Sequence, residues 1–259
     1  MQVKSKSHIR KPLAISLIIV VSVWAIGYFS DQKIAILTSD FLYIPLTIML
    51  TITAFFQAYQ VRNECKNIVA WYAFVVFALA YSIAQHIWSL NEIILDTKPF
   101  PSYADVAFTI STISMIIFFI LIIKSKKQFI SKWMYAVAIP SGCFVITLSM
   151  YFFMINNPDS TLDSIMSFAY PVLDGIALVP ALLGVTMYFQ HKVDFAICLI
   201  CFSMIPLATG DVLFQITSTN GTYYSGSIAD LFFYIQITLL IFGVYMISNS
   251  KVRANVSVI

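Results

Sequence analysis

Charged residues are scarce in this 259-residue sequence: Asp, Glu, Lys and Arg together make up 10% of it, whereas hydrophobic residues make up 60%. A soluble domain carries about 25% charged residues, because its water-facing surface must be polar. So small a charged fraction excludes an ordinary soluble globule and predicts a polytopic membrane protein. The net charge of +3 is too small to suggest a nucleic-acid partner.

Cysteine is also rare, and the four thiols belong to no recognisable framework. Cys65, Cys143, Cys198 and Cys201 have neither disulfide-scaffold nor zinc-knuckle spacing, and the single C-x-x-C pair lies inside an apolar run, where small buried thiols are typical. The sequence has no Walker, Rossmann or G-x-S-x-G element. We therefore predict no cofactor and no metal site.

Long apolar runs dominate what is present. A helix needs about 20 apolar residues to cross the bilayer core, and eight segments of that kind are separated by polar, turn-rich breaks. The sequence thus predicts an all-α protein with eight transmembrane helices, at approximately 13–30, 41–59, 68–88, 104–123, 134–154, 167–189, 195–216 and 229–248.

The basic residues divide unequally between the two sides of these spans. With the N-terminus inside, 13 of the 15 Lys and Arg residues fall in inner segments, and only Lys33 and Lys98 fall in outer loops. Basic loops are retained in the cytoplasm, so we predict a cell-membrane protein with a basic cytoplasmic N-terminus (1–12) and a cytoplasmic C-terminal tail (249–259). Every lysine lies in a loop or tail, which leaves none for a retinal Schiff base and excludes a rhodopsin.

An aspartate recurs at the same point of two apolar segments. The string S-x-A-D-x-x-F-x-I occurs twice and places Asp105 and Asp230 125 residues apart. The span pattern repeats at the same offset, which predicts two four-helix units, 13–124 and 134–248. Four is an even number, so both units enter the membrane from the same side, as a parallel repeat.

The repeated aspartates have the spacing of helix caps. Ser102 and Asp105, like Ser227 and Asp230, are three residues apart at the start of a predicted helix. In a capping box the serine accepts a hydrogen bond from a first-turn N–H, and the acid accepts one from the serine's own N–H. A carboxylate there also meets the positive end of the helix dipole. We expect these four residues to cap helices or to line a pocket beside them.

Two more aspartates fall inside predicted spans, and a histidine falls inside another predicted span. Asp174, Asp211 and His86 all lie in the outer half of the bilayer in the predicted topology. A charge at the bilayer centre costs about 2.5–3.5 kcal/mol, so such residues are functional or clamp two helices together. We predict an outer-leaflet ligand pocket formed by these three side chains with Tyr170 and Gln215; alternatively, His86 only packs or forms a structural hydrogen bond.

The order of several short motifs resembles a known family. Trp88 is followed by PFPSYADVAF, SFAYPVLDGIAL, TGDVLF and NGTYYSGSIADLFF. This order resembles the multi-span membrane sensor regions that precede GGDEF-type diguanylate cyclase or histidine kinase domains in many bacterial proteins. The resemblance covers residues 67–248 and implies a signal-receiving module. It also implies characteristic positions, without a catalytic role, at Asp105, Tyr170, Pro171, Asp174, Asp211 and Asp230.

Only 11 residues follow the last predicted span. We therefore expect no output domain on this chain, and a sensor of this kind would signal through a separate cytoplasmic partner or through its basic inner loops. Membrane lipids are the other expected partner, and the sequence predicts no oligomeric state.

Three functions remain open on the sequence. The first is a non-enzymatic sensor whose outer-leaflet pocket takes a small ligand, an ion or a lipid headgroup. The second is a small cation- or proton-coupled transporter in which the two units move against each other. The third is a membrane lipid hydrolase, because the GDVLF motif resembles one in eight-span lysoplasmalogenase-type enzymes; in that comparison Asp230 stands where a histidine is expected.

Overall fold

The computed structural model describes residues 3–62, 68–155 and 162–256, and helices account for most of them. Eight helical segments are long and apolar enough to cross a membrane, which confirms the all-α class and the eight predicted spans. The chain is a multi-pass membrane protein. Its helices are α1 Val3–Tyr28, α2 Gln32–Val61, α3 Ile68–Ser89, α4 Tyr103–Lys124, α5 Lys132–Ile155, α6 Leu162–Phe189, α7 Phe195–Phe202, α8 Met204–Thr219 and α9 Ile228–Val256.

Two spans reach further toward one end of the bundle than predicted. Helix α2 begins at Gln32, where the carboxylate of Asp31 accepts a hydrogen bond from a first-turn N–H. Helix α3 continues into a π-helical turn, Leu90–Ile94. Both extensions bring acidic side chains into helical segments, Asp40 in α2 and Glu92 in the π-helical turn.

Cys65 lies outside the described residues.

The seventh span consists of two helices. Together α7 and α8 cover Phe195–Thr219, and regular helical bonding is interrupted at Ser203. Pro206 explains the interruption, because it has no N–H to donate to a carbonyl in the preceding turn. The Ser203 hydroxyl donates to the Ile200 carbonyl at 2.6 Å. The interruption lies eight residues before Asp211 in the same span.

Helices α1–α4 form the first half of the molecule and α5–α9 the second. Within each half, helices that are neighbours in sequence pack against each other. Between the halves, α2 packs against α9, and α6 packs against α4. The second span of each half therefore meets the last span of the other half. These reciprocal contacts are the arrangement expected of a parallel duplication. The duplication itself stays a prediction.

Burial differs strongly among the spans. Within their apolar windows, 67% of the residues in the α7–α8 span and 61% of those in α9 are buried, against 11% in α1 and 17% in α5. The first helix of each half is therefore peripheral, and its exposed surface is apolar, as Ile18 and Phe144 illustrate. An apolar surface of this kind suits contact with lipid, whereas the polar groups of the bundle lie in its interior.

Two glycines allow α5 and α6 to approach closely. A Cβ atom built on Gly142 would lie 2.5 Å from the Gly175 carbonyl oxygen, and one built on Gly175 would lie 2.8 Å from the Gly142 carbonyl oxygen. Small residues at helix crossings let backbones pack directly in membrane proteins. Because Gly175 follows Asp174 in the chain, this crossing also fixes the position of that aspartate.

We expect Gly142→Ala to destabilise the protein by about 1–3 kcal/mol, because the added methyl group must push the two backbones apart. The measurement is the apparent unfolding temperature of the purified protein in detergent. Cys143→Ala is the matched control, since Cys143 is the next residue of α5 and is exposed. Equal unfolding temperatures for the two variants would contradict the close crossing.

Candidate functional site

A cavity of about 70 Å³ lies inside the bundle, where helices of both halves meet. Its walls come from α2, α3 and α4 of the first half and from α6, α8 and α9 of the second, with Tyr223 added from the α8–α9 loop. Three carboxyl groups line it, those of Asp105, Asp211 and Asp230. A cavity with so many polar groups in a membrane-spanning bundle is the natural candidate for a binding site.

Asp105 is held at the first turn of α4 and is bonded across to the second half. Its Oδ2 accepts the Ser102 N–H at 2.6 Å, while the Ser102 hydroxyl accepts the Ala104 N–H at 3.1 Å, so the predicted capping box is present. Its Oδ1 accepts the hydroxyl of Tyr170, on α6, at 2.5 Å. The same carboxyl group thus caps a helix and ties α4 to α6.

Asp230 performs the equivalent task at the start of α9. Its Oδ1 accepts the hydroxyl of Tyr43, on α2, at 2.8 Å, and its Oδ2 accepts the Gly226 N–H at 2.8 Å. This differs from the predicted capping box, in which Ser227 donates its own N–H; the Ser227 hydroxyl instead lies 3.5 Å from Oδ2. The Ser227 N–H is instead donated to the Tyr224 carbonyl at 3.1 Å, in a turn where Gly226 has φ of 92°, so it is the Gly226 N–H that reaches the carboxylate.

Tyr223 completes the surroundings of Asp230. Its hydroxyl lies 3.3 Å from Oδ1. Burial, together with the nearby charge of Asp230, raises the pKa of Tyr223 well above its usual value, because both disfavour a phenolate. The hydroxyl therefore remains protonated and acts as a hydrogen-bond donor to the carboxylate.

The two tyrosine–aspartate bonds are reciprocal. Tyr43 of the first half donates to Asp230 of the second, and Tyr170 of the second half donates to Asp105 of the first. Both bonds are buried, and all four residues line the same cavity. Hydrogen bonds to charged groups are worth about 1.5–3 kcal/mol, so this pair contributes substantially to holding the halves together around the cavity.

Asp174 and Asp211 form a second acidic feature. The Asp174 side chain is fully buried, and neither of its carboxyl oxygens receives a hydrogen bond from an N–H or O–H donor of the described chain. Its carboxyl group lies close enough to that of Asp211, on α8, for the two to interact electrostatically. Asp211 is partly exposed and lines the cavity, so the pair communicates with it.

Each member of this acid pair stands next to a glycine. Gly175 makes the close contact with α5 described above, and a Cβ on Gly210 would lie 2.5 Å from the ring of Phe233 on α9. The glycines thus let α6 and α8 pack tightly against their neighbours at the level of the two aspartates. The chain segments LDG and GD therefore fold so that the carboxyl groups are fixed between helices.

Two predicted pocket residues lie elsewhere. The His86 side chain is exposed on α3, and its Nδ1 lies 2.6 Å from the Ser82 carbonyl oxygen of the same helix; its neighbour Gln85 lines the cavity instead. Gln215 is buried, but it joins α8 to α5: its Oε1 accepts the Ser149 hydroxyl at 2.7 Å, and its Nε2 donates to the Ser149 carbonyl at 3.0 Å. The structure therefore unites Asp105, Tyr170, Asp174, Asp211 and Asp230 but not His86 or Gln215.

Sequence reasoning missed two further acids close to the cavity. Asp40, which is fully buried, accepts the Ser89 hydroxyl at 2.7 Å. Glu92 accepts the Ser225 hydroxyl at 2.6 Å, and it also accepts the indole N–H of Trp88, a cavity residue, at 3.2 Å. Helical spacing in the sequence could have indicated each of them. Asp40 stands one helical turn before the cavity residue Tyr43, and Glu92 stands one turn after the cavity residue Trp88.

The acids do not form a recognisable metal centre. No group of three or more His, Cys, Asp or Glu side chains with metal-binding geometry occurs in residues 3–62, 68–155 and 162–256. Comparison of the chain with known protein families, curated proteins and solved structures finds no match.

We expect Tyr43→Phe and Tyr170→Phe each to destabilise the protein by about 1–3 kcal/mol, because a buried carboxyl oxygen loses its donor. Thermal unfolding of the purified protein is the measurement. Tyr103→Phe removes a hydroxyl from a side chain that is 86% exposed and serves as the control. If the cavity variants unfolded at the control temperature, the two bonds would not hold the halves together.

Proposed function

We propose that this protein is a non-enzymatic membrane receptor of the sensor type, which binds a small ligand in the cavity between its halves. The observation that supports this most directly is the reciprocal pair of bonds, Tyr43 to Asp230 and Tyr170 to Asp105. Both bonds join the halves, and all four side chains line the cavity. A ligand that enters the cavity must therefore interact with the same groups that set the contact between the halves.

Such an arrangement supplies the differential interaction that a receptor needs. A ligand shifts a conformational equilibrium only by as much as it binds one state better than the other. A ligand that competes with a tyrosine hydroxyl for Asp105 or Asp230 changes a bond worth about 1.5–3 kcal/mol. That is enough to alter the population of two packing arrangements about tenfold or more.

The proposal includes an orientation and an output. The unequal division of Lys and Arg supports cytoplasmic termini, which places the cavity in the outer half of the bilayer. Lys124, Lys127, Lys132 and Lys192 then lie at the cytoplasmic ends of the helices. The resemblance to sensor regions supports a separate cytoplasmic signalling protein as the partner of this basic surface.

The residues of the cavity support a hydrolytic function less well than they support a ligand-binding function. A hydrolytic site needs a nucleophile or an activated water beside a general base, and the only histidine predicted for the site, His86, is exposed on the outer surface of α3. The Ser111 hydroxyl, which lines the cavity, is bonded to the Phe77 carbonyl. The lipid-hydrolase alternative therefore rests on its short motif alone.

The receptor proposal predicts that ligand binding alters the contacts between the halves. The experiment is hydrogen–deuterium exchange on the full chain in lipid nanodiscs, with a panel of small amines, carboxylic acids, sugars and alcohols as probes. At least one probe class should change exchange in α2, α9, α4 and α6 together, and Asp211→Asn should abolish the change.

Asp96→Asn is the matched control for this experiment, because Asp96 is an exposed acid in the loop at the same end of the bundle. This variant should respond as the wild type does. A probe that protects cavity residues but leaves exchange at the α2–α9 and α4–α6 contacts unchanged would show binding without a signal and would refute the receptor proposal.

A proton-coupled transporter is the second candidate, and the acid pair favours it. Asp174 is a fully buried acid that receives no donor from the described chain, and its neighbour Asp211 lines the cavity, which gives a proton taken up by the pair a route to that cavity. The titratable side chains that face the pair are Tyr81 from α3 and Tyr170 from α6. A pair that gains and loses one proton is a common element of proton-driven transport.

This candidate predicts proton flux in proteoliposomes. After a pH gradient is imposed, an internal pH dye should report transport by the wild type, and Asp174→Asn should abolish it. Asp194→Asn is the control, because Asp194 is an exposed acid at the N-cap of α7 whose side chain makes no capping hydrogen bond. No flux above that of protein-free vesicles, with and without the amine panel, would eliminate the transporter.

A further inference from the structure

We infer that the cavity binds a small organic ammonium cation, held by the Asp174–Asp211 pair and by surrounding aromatic rings. The inference rests on the proposed function, because it concerns the same cavity, and it adds the chemical class of the ligand. Three properties of the cavity carry it: the sign of its charge, the nature of its walls and its size.

The charge of the cavity is acidic and is not balanced by basic side chains. Asp105, Asp211 and Asp230 line it, and Asp174 lies close to Asp211. Among the described residues that form its walls there is no Lys, Arg or His. The donors around Asp230 are hydroxyl and backbone N–H groups, which stabilise a charge without neutralising it. Buried charge is costly unless it is paired, so the cavity favours a cation.

Asp211 is the anchor that the geometry provides for that cation. Asp230 already accepts bonds from Tyr43 and Gly226, whereas both oxygens of Asp174 lack a donor from the described chain and Asp211 is partly open to the cavity. A cation in the cavity therefore meets the Asp211 carboxyl group directly. A methylammonium ion can also donate an N–H to it, whereas a fully methylated ammonium ion is held by charge and by the aromatic rings alone.

The walls distinguish an organic cation from an inorganic one. Half of the residues that line the cavity are aromatic. Phe108 lies at the centre of one group, with ring centroids 5.5 Å from Tyr81, 6.2 Å from Trp88 and 6.4 Å from Tyr170. Aromatic rings attract ammonium groups, and cages of them recognise methylated amines. An inorganic cation instead requires several oxygen ligands in place of its hydration shell.

The size of the cavity limits the ligand to a few heavy atoms. One water molecule requires about 10–15 Å³ of such space, so the cavity of about 70 Å³ holds several waters. It suits a methylated ammonium ion and is too small for a lipid with its acyl chains. The same ammonium chemistry occurs in free amines and in the headgroups of choline and ethanolamine lipids, and the test must separate these sources.

The experiment uses the full chain in nanodiscs of phosphatidylglycerol, with binding measured by isothermal titration calorimetry. Methylammonium and tetramethylammonium are the probes. Potassium ion is the inorganic control, and tert-butanol is the neutral control of similar size to tetramethylammonium. We expect saturable binding of at least one ammonium probe, with an affinity about tenfold or more above that of both controls. Equal affinity for potassium or tert-butanol would overturn the inference.

Three variants locate the binding. Asp211→Asn removes the anchoring charge and should weaken binding about tenfold or more, because a buried charge pair is broken. Phe108→Leu retains apolar volume but removes the ring, and should weaken ammonium binding about three- to tenfold. Asp96→Asn should bind as the wild type does. Unchanged binding in both cavity variants would overturn the inference.

Folding of the variants is checked by their unfolding temperatures. If Asp211→Asn does not fold, Asp211→Glu replaces it, because this variant keeps the charge. Methylammonium or tetramethylammonium should raise the unfolding temperature of Asp211→Glu, and the rise should be smaller when Phe108→Leu is added. If neither probe raises the unfolding temperature of the wild type or of Asp211→Glu, ammonium binding is refuted.

Nanodiscs of phosphatidylcholine distinguish the two sources of the ligand. If the choline headgroup occupies the cavity, tetramethylammonium should bind more weakly there than in phosphatidylglycerol; equal binding assigns the site to a free amine. Failure of the two proposals is also distinguishable. Ammonium binding without altered exchange at the α2–α9 and α4–α6 contacts refutes the receptor alone, whereas a response of those contacts only to non-amine probes refutes the ammonium ligand alone.

Discussion

The structure depends on satisfying carboxyl groups inside a membrane-spanning bundle. An unsatisfied polar group in the hydrocarbon region costs several kcal/mol, so each acid must find donors or a counterion. Asp105 and Asp230 find tyrosine hydroxyls from the opposite half, in addition to backbone N–H groups at the start of their own helices. The requirement to satisfy these acids therefore also determines how the halves meet. The polar site and the contact between the halves are consequently one structure, and neither can change without the other.

A duplicated unit would give this pattern directly. When a unit with an even number of spans is copied, both copies run in the same direction through the membrane. A two-fold axis along the membrane normal then makes each contact between them occur twice. The exchange of α2–α9 and α6–α4 contacts and the reciprocal tyrosine–aspartate bonds have that form. The repeated string around Asp105 and Asp230 supports the duplication further, and a site close to the axis draws its walls from both copies.

The sequence predicted those features that depend on local chemistry and membrane depth. The eight spans follow from hydropathy, and the cap by Ser102 and Asp105 follows from spacing within one helical turn. The face of a helix toward which a side chain points depends on its neighbours in three dimensions. Depth alone assigns His86 to the pocket, but adjacent helical residues point about 100° apart, and it is Gln85 that lines the cavity. Asp40 is a different case: hydropathy places the start of its helix after it, because polar residues precede the apolar run of α2.

The placement of the acid pair suits the signal transmission that the receptor proposal requires. Asp174 and Asp211 are fixed by glycine contacts that hold α6 against α5 and α8 against α9. Tightly packed helices have little room to adjust side chains individually. In the proposed receptor, a change in charge at the pair would therefore move whole helices. Helices α6 and α9 are 28 and 29 residues long, so in that proposal they connect the acidic cavity to the basic end of the bundle.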